Sequence, residues 1–92
     1  MITIELPTAL RPYARGSPTL VLDRRYTTVG EALHALADRW PGVLDRIIDE
    51  RGEVRPHVNV FVGAESIRFL GGLEAPLPEG STVTIVPAVS GG

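Results

Sequence analysis

Residues 57–63 read HVNVFVG and alternate between two kinds of side chain. Val58, Val60 and Val62 fall on one side of an extended chain, and Asn59 and Phe61 fall on the other. A period of two residues is typical of a strand that has one face against a core. The stretch therefore predicts a β-strand that lies centrally in a sheet.

Four other segments carry strand patterns. MITIEL at residues 1–6 alternates in the same way, and TLVLD at 19–23 is expected to pair antiparallel with it. TVTIVP at 82–87 predicts the last strand, and the residues around 67–69 predict a short one before it. Residues 7–18 hold three prolines and a glycine, so they are predicted to form a loop.

The period changes in TTVGEALHALADRW, residues 27–40. Apolar side chains recur there at helical spacing, which predicts an amphipathic helix. Thr28 and Glu31 have the spacing of a capping box, in which each side chain accepts a backbone N–H at the start of the helix. Pro41 and Gly42 are expected to end the helix, and residues 43–48 to add a short further turn.

This order of elements predicts one α+β domain. A mixed sheet of four to five strands covered by one main helix is a β-grasp, or ubiquitin-like, roll. At 92 residues the chain holds a single core. We expect the folded domain to span residues 1–87 and a flexible C-terminal tail to span 88–92, because glycine and chain ends order poorly.

Composition excludes several classes of partner and chemistry. The nine basic residues are all arginines, they are scattered among eleven acids, and the net charge is −2, so nucleic acid is not expected as a partner. The chain has no cysteine, which removes disulfides, thiolate metal sites and thiol nucleophiles. Without a membrane-spanning or export pattern, the sequence predicts a soluble, cytoplasmic protein with no membrane partner.

The sequence offers no catalytic constellation. His34 and His57 are the only histidines, and neither has a neighbouring pattern typical of a metal site or a catalytic triad. Asp49 and Glu50 lie in a polar loop, where carboxylates are normally solvated. Trp40 has the apolar spacing of a core residue. We therefore predict that the chain is not an enzyme and binds no metal or cofactor.

The C-terminal stretch VTIVPAVSGG, residues 83–92, passes from a strand through small residues to two glycines. Gly-Gly alone is also typical of a frayed chain end. Together with the helix and VNVFV, however, the sequence resembles the MoaD/ThiS family of ubiquitin-like sulfur carriers over nearly its whole length. LPTALRP at 6–12, the segment 67–73 and VPAVSGG look similar to the carriers of the thiocarboxylate-dependent cysteine pathway.

The resemblance implies a mechanism in which Gly92 carries sulfur. An E1-like enzyme using ATP and magnesium would adenylate the Gly92 carboxylate, and a sulfur donor would convert it to a thiocarboxylate. A sulfur-accepting synthase would then consume the sulfur. In the cysteine pathway the acceptor is an activated serine, and a metalloprotease would release the new cysteine from Gly92.

The tail composition fits this role. Its members, Ala88, Val89, Ser90, Gly91 and Gly92, span about 17 Å when extended at roughly 3.3 Å each, enough to enter a buried active site. We expect partners to dock on an apolar sheet face beside the tail, with contributions from Val86, Val89, Phe61 and Phe69.

Two other functions remain open at this point. The chain could be a ubiquitin-like modifier joined through Gly92 to target lysines. It could also be an interaction module with an inert tail, such as the small non-catalytic subunit of a molybdopterin-type synthase. The sequence does not distinguish among cysteine, molybdopterin, thiamin thiazole and specialised metabolites as the destination of the sulfur.

Overall fold

The computed structural model of the protein describes residues 1–88. Its strands are β1 (Ile2–Glu5), β2 (Thr19–Leu22), β3 (Val58–Val62), β4 (Glu65–Ser66) and β5 (Thr82–Pro87). They form one sheet in the order β2-β1-β5-β3-β4. β1 and β5 run parallel, and the other neighbouring pairs are antiparallel. The predicted mixed sheet is therefore present, with five strands.

β5 takes the centre of the sheet. It pairs with β1 through Ile4 and Val83, and with β3 through Val60 and Ile85. The strand predicted from HVNVFVG is confirmed as β3, which lies inside the sheet between β5 and β4, while β5 holds the middle position. The predicted alternation along β3 is confirmed for Val58 and Val60, which are buried.

The predicted helix is divided into shorter elements. α1 (Val29–His34) begins at the expected capping box, is continued by a 3-10 turn (Ala35–Asp38), and is followed by α2 (Pro41–Ile47). Pro41 ends the first segment but also begins α2, because the first turn of a helix does not need the N–H that proline lacks. Neither helix has the length and apolar character needed to cross a bilayer, and no other helix in residues 1–88 has them.

Two predicted segments, one loop and one short strand, need correction. The segment predicted as a loop at 7–18 contains a 3-10 helix (Thr8–Ala14), which ends where Arg15 takes a left-handed conformation. The short strand expected at 67–69 is a 3-10 helix (Ile67–Phe69), and the strand β4 precedes it. The Ser66 side chain accepts a hydrogen bond from the N–H of Arg68, which turns the chain out of the extended conformation.

The core lies between the helices and one face of the sheet. Strands contribute their inward-facing aliphatic side chains, and α1, its 3-10 continuation and α2 contribute theirs. The largest fully buried side chains are Ile2, Ile4, Val29, Leu33, Leu36, Val43, Ile47, Val60 and Val83. The opposite face of the sheet carries no helix, so it remains available for contacts outside the domain.

Candidate functional site

The chain leaves the sheet at the end of β5. Pro87 lies opposite Val58 at the end of the β3–β5 ladder, and the N–H of Ala88 donates a 2.8 Å hydrogen bond to the carbonyl oxygen of His57. Ala88, the first residue of the predicted tail, is thus attached to the neighbouring strand. The other tail residues, Val89, Ser90, Gly91 and Gly92, lie outside the described residues, and Gly92 as the sulfur-carrying residue stays a prediction.

We call the side of the sheet without helices the open face. Val86 lies opposite Asn59, and Phe61 lies opposite Thr84, so Val86 and Phe61 are diagonal neighbours on this face. Both side chains are partly buried. The structure therefore brings two of the predicted docking residues together beside the point where the chain leaves the sheet. The remaining outward-facing side chains of β1, β2 and β5 include Thr3, Glu5, Thr19, Val21 and Thr82.

Phe69 lies on a different element from the other predicted docking residues. It ends the 3-10 helix that follows β4, which is the edge strand on the side away from β2. Its side chain is 83% exposed, the largest value among the large hydrophobic residues that the structure describes. The prediction that Phe69 contributes to docking has no support from its position on the sheet and stays a prediction.

A pocket of about 330 Å³ opens beside the end of β5, and we call it the exit pocket. Tyr13 of the first 3-10 helix, Arg46 of α2, and Arg55 and His57 of the loop before β3 form its polar wall. Apolar atoms complete the lining, from Pro7, Ala9, Leu10, Val58, Ile85, Val86 and Pro87. Sequence reasoning missed this group because its members come from separate segments that only the tertiary fold brings together.

The histidine and aspartate considered as catalytic candidates form hydrogen bonds to the local backbone. His34 places Nδ1 2.8 Å from the carbonyl oxygen of Gly30, one turn earlier in α1. The Asp49 carboxylate accepts hydrogen bonds from the N–H groups of Arg51 and Glu53, and the Glu53 bond is the main cause that lowers the pKa of Asp49 below its ordinary value of 3.8. Within residues 1–88, no three His, Asp or Glu side chains are grouped so that they could hold a metal ion.

Comparison with known proteins establishes the family. The sequence matches the ThiS family over residues 4–92. The chain belongs to the ThiS family. The resemblance to MoaD/ThiS proteins inferred from the terminal strand and glycines is thereby confirmed, and the match includes the two glycines themselves.

Members similar to this chain include sulfur carriers. The sulfur carrier protein CysO of Mycobacterium tuberculosis is 34% identical over 93 residues, which cover 99% of this chain and 98% of that protein. The crystal structure of Mycobacterium tuberculosis CysO matches with a TM-score of 0.88 at 33% identity, covering 97% of this chain and 100% of that chain. The ubiquitin-like β-grasp fold predicted from the element order is confirmed by this match.

Two further relatives bear on partners and on alternative functions. A chain from the crystal structure of the Amycolatopsis orientalis BexX/CysO complex matches with a TM-score of 0.86 at 36% identity and covers 100% of both chains. Small archaeal modifier protein 3 of Haloferax volcanii is 38% identical over 65 residues, which are 71% of this chain and 70% of that protein. This ThiS family member is therefore related both to sulfur carriers and to a protein named as a modifier.

Proposed function

We propose that this ThiS family protein is a sulfur carrier whose Gly92 carboxylate is converted to a thiocarboxylate. The observation that carries the proposal is the similarity to the mycobacterial sulfur carrier over nearly the whole length of both chains. A relative that shares only the fold would support a β-grasp domain and no more, because unrelated functions occur on one fold. Similarity over nearly the whole length, together with a family match that runs through the C-terminal glycines, supports the shared chemistry as well.

The position of β5 suits a carrier. Its last residues lie beside both the open face and the exit pocket, so an enzyme can hold the domain on these surfaces while it takes up the residues after Ala88. Gly91 and Gly92 lack Cβ atoms and therefore pass through a narrow channel with little steric restriction. In this proposal the folded domain provides the binding surface, and the tail provides the reactive carboxylate.

The proposed chemistry needs groups that a partner supplies. An oxygen of the Gly92 carboxylate attacks the α-phosphorus of ATP, giving an acyl-adenylate and releasing pyrophosphate. A sulfide equivalent attacks the carbonyl carbon and expels AMP, which leaves the thiocarboxylate. Magnesium and cationic side chains of an E1-like enzyme would neutralise the phosphates. In this proposal the chain is the substrate of that enzyme and contributes no catalytic side chain.

The sulfur acceptor proposed first is an activated serine, as in the thiocarboxylate-dependent cysteine pathway. The similarity to proteins named CysO supports this assignment. A synthase would accept the sulfur, and a metalloprotease would hydrolyse the bond between Gly92 and the new cysteine to restore the carboxylate. The synthase that consumes the thiocarboxylate would distinguish cysteine synthesis from synthesis of another sulfur-containing metabolite.

The proposal is tested by weighing the intact protein. The parent is incubated with its cognate adenylating enzyme, MgATP and sulfide, and a variant with one alanine added after Gly92 is treated in parallel. We expect the parent alone to gain the mass that corresponds to replacement of one oxygen by sulfur. Equal sulfur gain by the extended variant, without removal of its added residue, contradicts the assignment of Gly92.

Protein modification is the second candidate function, and the similarity to a small archaeal modifier protein favours it. Activated Gly92 would then be joined to lysine amines of other proteins. The chain has no lysine of its own, so it could not form lysine-linked chains. Covalent adducts that retain Gly92 in host lysates, identified by mass spectrometry of the joined peptides, would support this function. If no such adducts are found and a thiocarboxylate is present, only the carrier function is supported.

A further inference from the structure

The exit pocket carries two arginine side chains and no acidic residue among the part of its lining that the structure describes. Arg46 and Arg55 face it, and within residues 1–88 neither Asp nor Glu contributes to its wall. This charge pattern contrasts with the net charge of −2 on the whole chain. A ligand or partner that fills the pocket would therefore meet positive charge beside an apolar floor formed by β3 and β5.

Arg46 is held in place at the pocket wall. Its Cζ atom lies 4.6 Å from the centroid of the Tyr13 ring, within the range of a cation–π contact. The ring itself packs against Gly42, where a Cβ atom would stand 3.1 Å from Tyr13 Cδ1. Glycine at residue 42 thus allows Tyr13 to approach α2 and support the guanidinium above it.

Arg55 is positioned by the end of α2. Its Nε donates a 2.7 Å hydrogen bond to the carbonyl oxygen of Asp45, and its backbone N–H donates to the carbonyl oxygen of Ile47. These bonds use one of the five N–H donors of the guanidinium. The terminal nitrogens therefore keep donors that a further anion can use.

Acidic residues line a second cleft that the two arginines also line. Asp45, Asp49 and Glu50 line a neighbouring cleft that shares Arg46 and Arg55 as its wall. The field of Arg55 contributes to the lowered pKa of Asp49, although backbone hydrogen bonds dominate that shift. Among the described residues, neither arginine forms a salt bridge, and the salt bridges that are formed both use Glu79.

We propose that the exit pocket receives acidic side chains of the adenylating enzyme that takes up the tail. The identity of this enzyme rests on the proposed function. Pro87 lines the pocket and the carbonyl oxygen of His57 accepts a hydrogen bond from Ala88, so the pocket lies beside the point from which an enzyme would take up the following residues. Guanidinium groups match the geometry of carboxylates, and the apolar surroundings strengthen the contact by excluding water.

The test compares two arginines that stack on aromatic rings. Arg46→Glu reverses a charge in the pocket, and Arg39→Glu is the matched control, because Arg39 stacks 4.3 Å from the Trp40 centroid and does not line the pocket. Affinity for the adenylating enzyme is measured by calorimetry without ATP. We expect Arg46→Glu to weaken binding by about tenfold or more, and Arg39→Glu to change it by less than about twofold.

Salt and a milder variant complete the experiment. Binding by the parent should weaken as salt is raised, binding by Arg46→Glu should respond less, and Arg46→Gln should fall between them. Urea denaturation establishes that each variant is folded. The proposal is overturned if Arg46→Glu binds as tightly as the parent, or if Arg46→Glu and Arg39→Glu lose equal affinity. It is also overturned if the parent does not bind the enzyme. If the parent binds the enzyme but gains no sulfur, the carrier function is contradicted, whereas docking at the exit pocket is not.

Discussion

Gly30 of α1 packs directly on the backbone of Leu73, so that a Cβ atom at residue 30 would stand 3.0 Å from the Leu73 carbonyl oxygen. Leu73 belongs to a short 3-10 helix (Gly72–Glu74) that precedes the turn into β5. The same region is joined to α1 by a 3.0 Å hydrogen bond from the N–H of Val29 to the carbonyl oxygen of Ala75. The start of α1 therefore holds the segment that leads into the central strand.

Gly30→Ala tests this close approach. Alanine in a helix interior ordinarily stabilises by about 1 kcal/mol relative to glycine. Here the methyl group would push against backbone atoms, so we expect a net loss of about 1–3 kcal/mol in the free energy of unfolding. Urea denaturation measures it. A gain in stability would show that the segment at 72–74 moves aside without cost.

Thr28→Ala removes the side chain that caps α1. Thr28 Oγ1 accepts a 3.2 Å hydrogen bond from the N–H of Glu31, whose own carboxylate accepts from the N–H of Thr27 at 2.8 Å. We expect a loss of about 0.5–2 kcal/mol in unfolding free energy. Thr28→Ser keeps the hydroxyl and is the matched control. If alanine and serine give equal stabilities, the capping bond contributes nothing.

Val86→Asp tests the open face as a docking surface. Because an enzyme that covers this face would bury an unpaired carboxylate, we expect the KM of the carrier in adenylation to rise about tenfold or more. Val21→Asp is the control, since Val21 lies on the same face but on the edge strand β2, away from the end of β5. Circular dichroism checks that both remain folded. Unchanged KM for a folded Val86→Asp would contradict docking at Val86.

Asp49→Asn tests the pH dependence of the loop between α2 and β3. The backbone N–H of Glu53 lowers the pKa of Asp49 below 3.8, so the charged carboxylate stabilises the fold above that pH. This contribution is lost as pH falls through the lowered pKa. We expect the parent to exceed Asp49→Asn in stability at pH 7 and the difference to shrink toward pH 2. Asp45→Asn is the control, and urea midpoints at several pH values measure the effect.

A persistent difference between the parent and Asp49→Asn at the lowest pH would contradict this origin of the stabilisation. The amide would then be acting through altered loop geometry, which does not titrate. Asp45→Asn controls for the loss of one negative charge in the same region, because within residues 1–88 no backbone N–H donates to the Asp45 side chain.

Deletion of Gly91 and Gly92 should leave the domain intact. Changes away from packed features usually alter unfolding free energy by less than about 0.5 kcal/mol, and we expect the deletion to fall in this range. Adenylation, measured by pyrophosphate release, should be abolished because the carboxylate that we propose reacts is displaced. A large fall in melting temperature would instead indicate that the two glycines contribute to the folded domain.

Local patterns predicted much of the fold. Alternation identified β3, and the spacing of Thr28 and Glu31 identified the capping box, because each depends on residues adjacent or nearly adjacent in sequence. The 3-10 helix at Ile67–Phe69 was missed because its apolar residues fit a strand equally well. The hydrogen bond from the N–H of Arg68 to the Ser66 side chain, which turns the chain there, cannot be read from the residue types alone. Pro41 was assigned only as a stop, although proline is equally suited to begin a helix.

The candidate site was predicted in part for the same reason. Val86 and Phe61 follow from strand alternation, which places both on the open face. The exit pocket was not predicted, because Tyr13, Arg46 and Arg55 meet only through long-range packing. Gly42 was interpreted as part of a helix stop, and its role in admitting the Tyr13 ring depends on a contact 29 residues away in sequence.

The parallel pairing of Thr3 with Thr82 joins the first strand to the last and has a consequence for synthesis. Because β5 fills the gap between β1 and β3, a growing chain cannot complete its sheet until residues 82–87 have left the ribosome. The open face and the exit pocket both require β5, so they come into existence together with the point of departure of the tail. A complete but misfolded copy would carry the glycines without the surfaces on which we propose that the adenylating enzyme docks, so correct placement of β5 would be required before Gly92 could be adenylated.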